Sequence, residues 1–124
     1  MTTAVPILIV DDNPSNTKLL AFLLQSKGYD VRTAANADEA VASIAERRPR
    51  LILMDIQLPG TDGLTLTRRL KSDPDTKDIS IIAATAYAMK GDEERARAAG
   101  CDGYLTKPID TRQLPLDLAR FLAS

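Results

Sequence analysis

The sequence contains no histidine, no tryptophan and a single cysteine, and aromatic residues make up only 4% of it. Without histidine, the chain has no Ser-His-Asp triad, no Cys-His pair and few options for binding transition metals. The single cysteine, Cys101, excludes a disulfide within the chain. Any chemistry must therefore depend on carboxylates, hydroxyls and lysines.

The sequence also lacks a long hydrophobic run and an excess of charge of either sign. The apolar stretch at residues 4–10 is too short for a signal peptide core or a membrane span. The 16 basic and 17 acidic residues are mixed along the chain and give a net charge of -1, which provides no electrostatic footprint for nucleic acid or an anionic membrane. We therefore expect a cytoplasmic protein that binds neither nucleic acid nor membranes.

The length of 124 residues and the hydrophobic content of 44% are typical of one domain with a sizeable core. We expect this single domain to cover residues 1–124, without a separate output domain. Short apolar runs alternate with segments of helical periodicity, which favours a doubly wound α/β fold with a parallel sheet. The expected strands cover residues 7–10, 29–34, 51–54, 79–84 and 103–106, and the expected helices cover residues 14–27, 37–48, 64–71, 89–99 and 110–122.

Residues that favour helix ends mark several of these boundaries. Asn13 and Asn36 are the expected N-caps of the first two helices. Val41 in the second helix is expected to face the core. Pro115 lies beyond the first turn of a helix that opens at residue 110, so either this helix starts near residue 113 or its opening turn is bent.

Polar residues follow four of the expected strands at the point where each strand ends. Asp11 and Asp12 follow the first strand, Asp55 the third, Thr85 the fourth and Lys107 the fifth. Parallel strands deliver these residues to one edge of the sheet. Three carboxylates held together repel one another, so such a site needs a cation and the lysine to offset their charge. Oxygen ligands suit Mg²⁺ rather than zinc, and the metal, lysine and hydroxyl together form a clamp for a phosphoryl group, which an aspartate can accept covalently.

Each of these residues also has a purely structural alternative, and for Asp55 it is a cap of the loop that follows the strand. Asp11 and Asp12 are also compatible with a role as acids favoured by the N-terminus of a helix. Lys107 is compatible with a solvated surface lysine, and Thr85 with an ordinary β-branched strand residue. Pro108 favours the functional role of Lys107, because a cis peptide bond before proline would turn the lysine toward the edge.

Four segments together resemble the receiver domains of two-component response regulators, and the resemblance covers essentially the whole chain. These segments read ILIVDDN, LILMDIQLPGTDG, IIAATAYA and GYLTKPI. Within that family, the chain is most similar to stand-alone receivers of the DivK type and to receivers attached to hybrid kinases. The resemblance implies a five-stranded sheet in the order 2-1-3-4-5, with the acids at its switch point.

The resemblance also implies a role for each residue of the site. Asp55 would be the phosphoacceptor, and Mg²⁺ would be held by Asp11, Asp12, Asp55 and the backbone carbonyl of Gln57. Lys107 would contact the phosphoryl group. Thr85 would act in catalysis and, with Tyr104, as the switch pair. Gln57 and Tyr87 stand two residues after Asp55 and Thr85, where they would govern the access of water and so the lifetime of the phosphoryl group.

The function implied is a phosphorylation-operated switch rather than an enzyme with turnover, limited to slow self-catalysed phosphotransfer and dephosphorylation. A sensor histidine kinase or a histidine phosphotransfer protein would donate the phosphoryl group. A downstream protein would bind the face formed by the fourth helix, fifth strand and fifth helix, in a pathway of cell-cycle or polarity control. We expect a monomer, with a phosphorylation-dependent dimer as the alternative.

Three other functions share parts of this pattern. A phosphorylation-independent scaffold of the same fold is expected to lose one of the residues at the sheet edge, and none is lost here. A Mg²⁺-dependent phosphatase with an aspartate nucleophile typically needs a second acid two residues after that nucleophile, where this chain has Gln57. A binder of nucleotide or flavin needs a glycine-rich phosphate loop after the first strand, and the sequence there has no glycine.

Overall fold

A computed structural model of the chain describes residues 4–85 and 91–123. Within these residues, five parallel strands form one sheet in the order β2-β1-β3-β4-β5, which confirms the expected fold class and strand order. The strands are β1 (Pro6–Val10), β2 (Asp30–Ala34), β3 (Leu51–Asp55), β4 (Ser80–Thr85) and β5 (Gly103–Thr106).

The helices alternate with the strands along the chain. They are α1 (Pro14–Ser26), α2 (Ala37–Glu46), α3 (Gly63–Ser72), α4 (Asp92–Ala99) and α5 (Leu114–Ala123). The Asn13 side chain accepts hydrogen bonds from the backbone of the first turn of α1, and Asn36 does the same for α2, so both predicted N-caps are confirmed. None of the described helices is long and apolar enough to cross a bilayer.

The core consists of two apolar clusters, one on each face of the sheet. Successive residues of a strand point to opposite faces. Ile7 and Ile9 of β1 accordingly pack with α1 and α5, whereas Leu8 and Val10 pack with α2, α3 and α4. Every residue of β3 is buried, because both faces of this central strand are covered. The buried strands therefore give the sheet edge a rigid frame.

The last helix starts later than Asp110, the residue at which the sequence predicted it to open. Leu114 is its first residue, so Pro115 lies in the first turn. Backbone N–H groups of a first turn have no partner within the helix, so the N–H that proline lacks is not needed there. Asp110 instead accepts hydrogen bonds from the backbone N–H groups of Arg112, at 2.9 Å, and Gln113, at 3.3 Å, in the preceding turn. The alternative of a start near residue 113 is therefore right, and a helix opening at residue 110 is wrong.

Two further sequence predictions need correction. Val41 is 38% exposed, because Ala37, Ala40 and Ile44 form the buried side of α2. The fourth strand runs one residue further than expected and includes Thr85. The expected start of the fourth helix at residue 89 lies outside the described residues, and the described part of this helix begins at residue 92.

Gly63 joins the end of β3 closely to the start of α3. A Cβ atom at this position would lie 2.3 Å from the carbonyl oxygen of Asp55 and 2.7 Å from the Cα of Ile56. Both atoms belong to the backbone, which cannot move aside without shifting β3. Only glycine fits this contact, and the contact fixes where the loop after Asp55 runs.

We predict that Gly63→Ala lowers the free energy of unfolding by about 1–3 kcal/mol, because overpacking forces the backbone apart. Urea denaturation with an unchanged slope measures this loss. Arg68→Ala, at an exposed position of the same helix, is the control and should change stability little. A Gly63→Ala protein as stable as the control would contradict the predicted contact.

Candidate functional site

The site lies at the carboxyl edge of the sheet, between the first and third strands. Asp11 directly follows β1, Asp55 is the last residue of β3, and Lys107 directly follows β5. Asp11 and Asp55 are each only 5% exposed. The fold thus brings together three of the residues that the sequence placed at strand ends.

Lys107 bridges the two buried carboxylates. Its Nζ lies 2.8 Å from Oδ2 of Asp11 and 3.0 Å from Oδ2 of Asp55. The backbone N–H of Asn13 donates to Oδ1 of Asp11, and that of Gln57 donates to Oδ1 of Asp55, each at 2.9 Å. The Lys107–Pro108 peptide bond is cis, a conformation that proline at position 108 allows. Lys107 is therefore part of the site and not a solvated surface lysine.

The two acids differ in how well their charged forms are stabilised. Burial raises the pKa of Asp11, but hydrogen bonds from Lys107, Asn13 and Asn16 outweigh it, so that the pKa lies below its usual value. Burial raises the pKa of Asp55 as well, and there it outweighs the donors Gln57 and Lys107. Burial lowers the pKa of Lys107, but the two carboxylates raise it by more than burial lowers it. The pKa therefore lies above its usual value, and the lysine is charged at neutral pH. Asp55 is the acid whose charge is less fully compensated.

Asp12 completes a group of acids that fits a divalent cation. One carboxylate oxygen each from Asp11, Asp12 and Asp55 lies within 4.8 Å of the others. Asp12 is exposed, and among the described residues no donor or cation binds its side chain. One lysine cannot neutralise three carboxylates, so the site holds excess negative charge that a cation would offset. An all-oxygen ligand set of this kind suits a hard cation.

The remaining predicted residues are placed to different degrees. Thr85 is completely buried at the end of β4, and its carbonyl oxygen accepts a hydrogen bond of 2.7 Å from the backbone N–H of Lys107. Tyr104 is half-buried in β5 and packs against the cluster that contains α4. Gln57 is exposed beside Asp55. Tyr87 lies outside the described residues. The roles of Tyr87, Gln57, Thr85 and Tyr104 all stay predictions.

Sequence reasoning missed one residue of the site, Asn16. Its side-chain Nδ2 donates a hydrogen bond of 2.7 Å to Oδ2 of Asp11. The available signal was its position in the first turn of α1, since that turn begins beside the sheet edge. A polar residue in a first turn is common, however, and nothing in the spacing singled this one out.

The comparison with known families agrees with this geometry. The profile described as the response regulator receiver domain matches residues 7–119. The chain belongs to the response regulator receiver domain family. This receiver is therefore a phosphorylation-dependent signalling domain, and its acidic pocket is the place where receiver domains bind a divalent metal.

Individual relatives support the assignment over nearly the whole domain. The receiver is 50% identical, over 83% of its length and 84% of the relative's, to the polar-differentiation response regulator DivK of Brucella anthropi. A CheY-like receiver domain protein of Methanospirillum hungatei is 30% identical and superimposes with a TM-score of 0.90, covering 98% of this chain and 95% of that one. The receiver domain of the sensor histidine kinase PA1611 of Pseudomonas aeruginosa is 38% identical, with a TM-score of 0.88 and coverage of 98% and 100%, and its structure holds a magnesium ion in the active-site cleft.

Removing Lys107 should expose the repulsion between the buried acids. We predict that Lys107→Ala lowers the free energy of unfolding without metal by about 3 kcal/mol, since it leaves buried carboxylates without their cation. MgCl₂ should then restore more stability in the variant than it adds to wild type, because the cation replaces the missing ammonium.

Urea denaturation in EDTA and in saturating MgCl₂ measures both effects. Lys18→Ala removes an exposed lysine of α1 and is the matched control. If Mg²⁺ stabilises Lys107→Ala no more than wild type, the lysine and the cation do not offset the same charge.

Proposed function

We propose that Asp55 accepts a phosphoryl group from the phosphohistidine of a sensor histidine kinase or a histidine phosphotransfer protein, and that its phosphorylation switches a protein-binding surface. The observation that carries this proposal is the placement of Asp55. It is a buried carboxylate at the end of the central strand, 3.0 Å from a lysine and beside two further acids. Phosphoryl transfer needs this combination of an oxygen nucleophile and nearby positive charge.

In this reaction a carboxylate oxygen of Asp55 forms a bond to phosphorus as the bond between phosphorus and the histidine nitrogen breaks. The histidine nitrogen keeps the electron pair of the broken bond. Lys107 contacts the incoming phosphoryl oxygens, which requires it to turn from the two carboxylates toward the new group. The backbone N–H of Gln57, which already binds Oδ1 of Asp55, holds the acceptor in place.

We further propose that the cation is Mg²⁺, held by Asp11, Asp12, Asp55 and the backbone carbonyl of Gln57. When bound, it supplies positive charge that offsets the phosphoryl oxygens. The all-oxygen character of the carboxylates supports Mg²⁺, and so does the magnesium ion in the related receiver of PA1611. The receiver then acts as a switch whose phosphotransfer and dephosphorylation are slow and self-catalysed.

The proposed signal leaves through the face of α4, β5 and α5, with Thr85 and Tyr104 as the switch pair. Besides Asp92, the buried residues of α4 are the small apolar residues Ala96 and Ala99. Displacement of this helix therefore costs little apolar contact. A cleft of about 450 Å³ runs along the face and is lined in part by Glu93, Tyr104 and Gln113. A downstream protein would bind here, and a phosphorylation-dependent dimer would use the same face.

The biological role we propose is cell-cycle or polarity control in the cytoplasm, as a monomer before phosphorylation. The similarity to polar-differentiation regulators named DivK supports this role. Gln57 and Tyr87 are proposed to set the lifetime of the acyl phosphate by controlling the approach of water.

Asp55→Asn should abolish phosphorylation. With acetyl phosphate and Mg²⁺, wild type should gain one acyl phosphate that is stable in acid and labile in base, detected by mass spectrometry. Asp62→Asn is the matched control, because it alters an acid of the same loop and asparagine still caps α3. Labelling that survives Asp55→Asn, or is lost equally in Asp62→Asn, would overturn the proposed acceptor.

Thr85→Ala should uncouple phosphorylation from the change in α4. We expect beryllofluoride, a stable mimic of the phosphoryl group, to alter hydrogen exchange across Asp92–Ala99 in wild type and to alter it much less in the variant. Thr106→Ala is the control, because Thr106 pairs with Thr85 in the sheet register but is exposed. An equal exchange difference in Thr85→Ala and wild type would remove Thr85 from the switch.

A further inference from the structure

Asn16 and Lys107 converge on a single oxygen of Asp11. The side-chain Nδ2 of Asn16 lies 2.7 Å from Oδ2 of Asp11, and Nζ of Lys107 lies 2.8 Å from the same atom. Within the described part of the chain, the other oxygen, Oδ1, accepts one hydrogen bond, from the backbone N–H of Asn13 at 2.9 Å. The two oxygens of this carboxylate are therefore not equivalent.

The remaining capacity of Asp11 follows from its lone pairs. An ionised carboxylate offers about four acceptor sites, two on each oxygen. Asn16 and Lys107 fill both sites on Oδ2, while Asn13 fills one on Oδ1. Among residues 4–85 and 91–123, one acceptor site of Asp11 is left without a donor, and it lies on Oδ1.

We propose that Asn16 is a positioning residue that fixes the orientation of the Asp11 carboxylate and directs the divalent cation to Oδ1. This inference rests on the proposed function in one respect, since phosphorylation draws Lys107 away from Asp11. Asn16 is then the remaining side-chain donor to Oδ2 among the described residues. A neutral amide suits this task because it holds the Asp11 carboxylate in place without neutralising the negative charge that attracts the cation.

The role of Asn16 is separate from the start of the helix. The N-cap of α1 is Asn13, whose side chain accepts from the backbone N–H groups of Ser15 and Asn16. The Asn16 side chain is bound to Asp11 instead of the helix backbone. Alanine has a higher helix propensity than asparagine, so Asn16→Ala is expected to fold.

The test is the dissociation constant of Mg²⁺, measured by calorimetry on the unphosphorylated protein. Loss of a hydrogen bond that orients a metal ligand typically weakens metal binding by about 10- to 100-fold. We expect Asn16→Ala to raise the dissociation constant by about tenfold. Asn16→Gln, which keeps an amide donor on a longer side chain, should lie closer to wild type.

Thr17→Ala is the matched control. It removes a hydrogen bond of 3.0 Å from the same turn, between Thr17 Oγ1 and the carbonyl oxygen of Pro14, without touching Asp11. Its Mg²⁺ affinity should equal that of wild type. An Asn16→Ala affinity equal to wild type, an equal loss in Thr17→Ala, or a glutamine variant no better than the alanine variant would each overturn the inference.

This measurement separates the inference from the proposed function. Mg²⁺ binding needs no phosphodonor, so its outcome does not depend on whether Asp55 is the acceptor. A wild-type protein that binds Mg²⁺ but takes up no phosphoryl group would overturn the proposed function alone. Normal labelling of wild type with unaltered Mg²⁺ affinity in Asn16→Ala would overturn the role of Asn16 alone.

Discussion

Electrostatic repulsion at the carboxyl edge of the sheet is the constraint on which the site depends. Two unit charges about 4 Å apart interact with about 4 kcal/mol at an effective dielectric constant of about 20. Asp11 and Asp55 are buried side by side, and Asp12 lies close to both. One ammonium group and a few hydrogen bonds reduce this repulsion without removing it. The excess charge gives the folded protein its affinity for a cation.

Apolar packing holds these charged groups together against their repulsion. The two clusters on either face of the sheet bury β1 and β3 almost completely. At the end of β3, Gly63 brings α3 against the backbone of Asp55. The site is therefore built on rigid elements, so that its charge cannot be relieved by moving the acids apart.

Much of the fold and part of the site could be predicted from the sequence, because their signals are local. An apolar run followed by Asp55 marks both a buried strand and its end, and Asn13 caps a helix through its own neighbours. The exposure of Val41 depends on which side of α2 meets the sheet, which helical spacing alone does not decide. Asn16 contacts Asp11 only once helix and strand are assembled. Both features, the exposure of Val41 and the contact of Asn16, depend on how the elements pack in three dimensions. The neighbouring residues in the sequence carry no signal for either of them.

The difference between the two buried acids fits the separate roles that we propose for them. Asp11 has three donors among the described residues, and their hydrogen bonds stabilise its anion, which fits the proposed role of Asp11 as a ligand of the cation. In the part of the chain that the structure describes, Asp55 has two donors, and one of them, Lys107, is shared with Asp11. The charge of Asp55 is the less compensated of the two, so the cation and the lysine are most strongly needed at the oxygen that would receive the phosphoryl group.

Because Lys107 already spans both acids, a new anionic group on Asp55 competes directly with Asp11 for this lysine. The local chemistry of one residue is thereby linked to the end of β5 and, through the backbone bond of Lys107 to Thr85, to the end of β4.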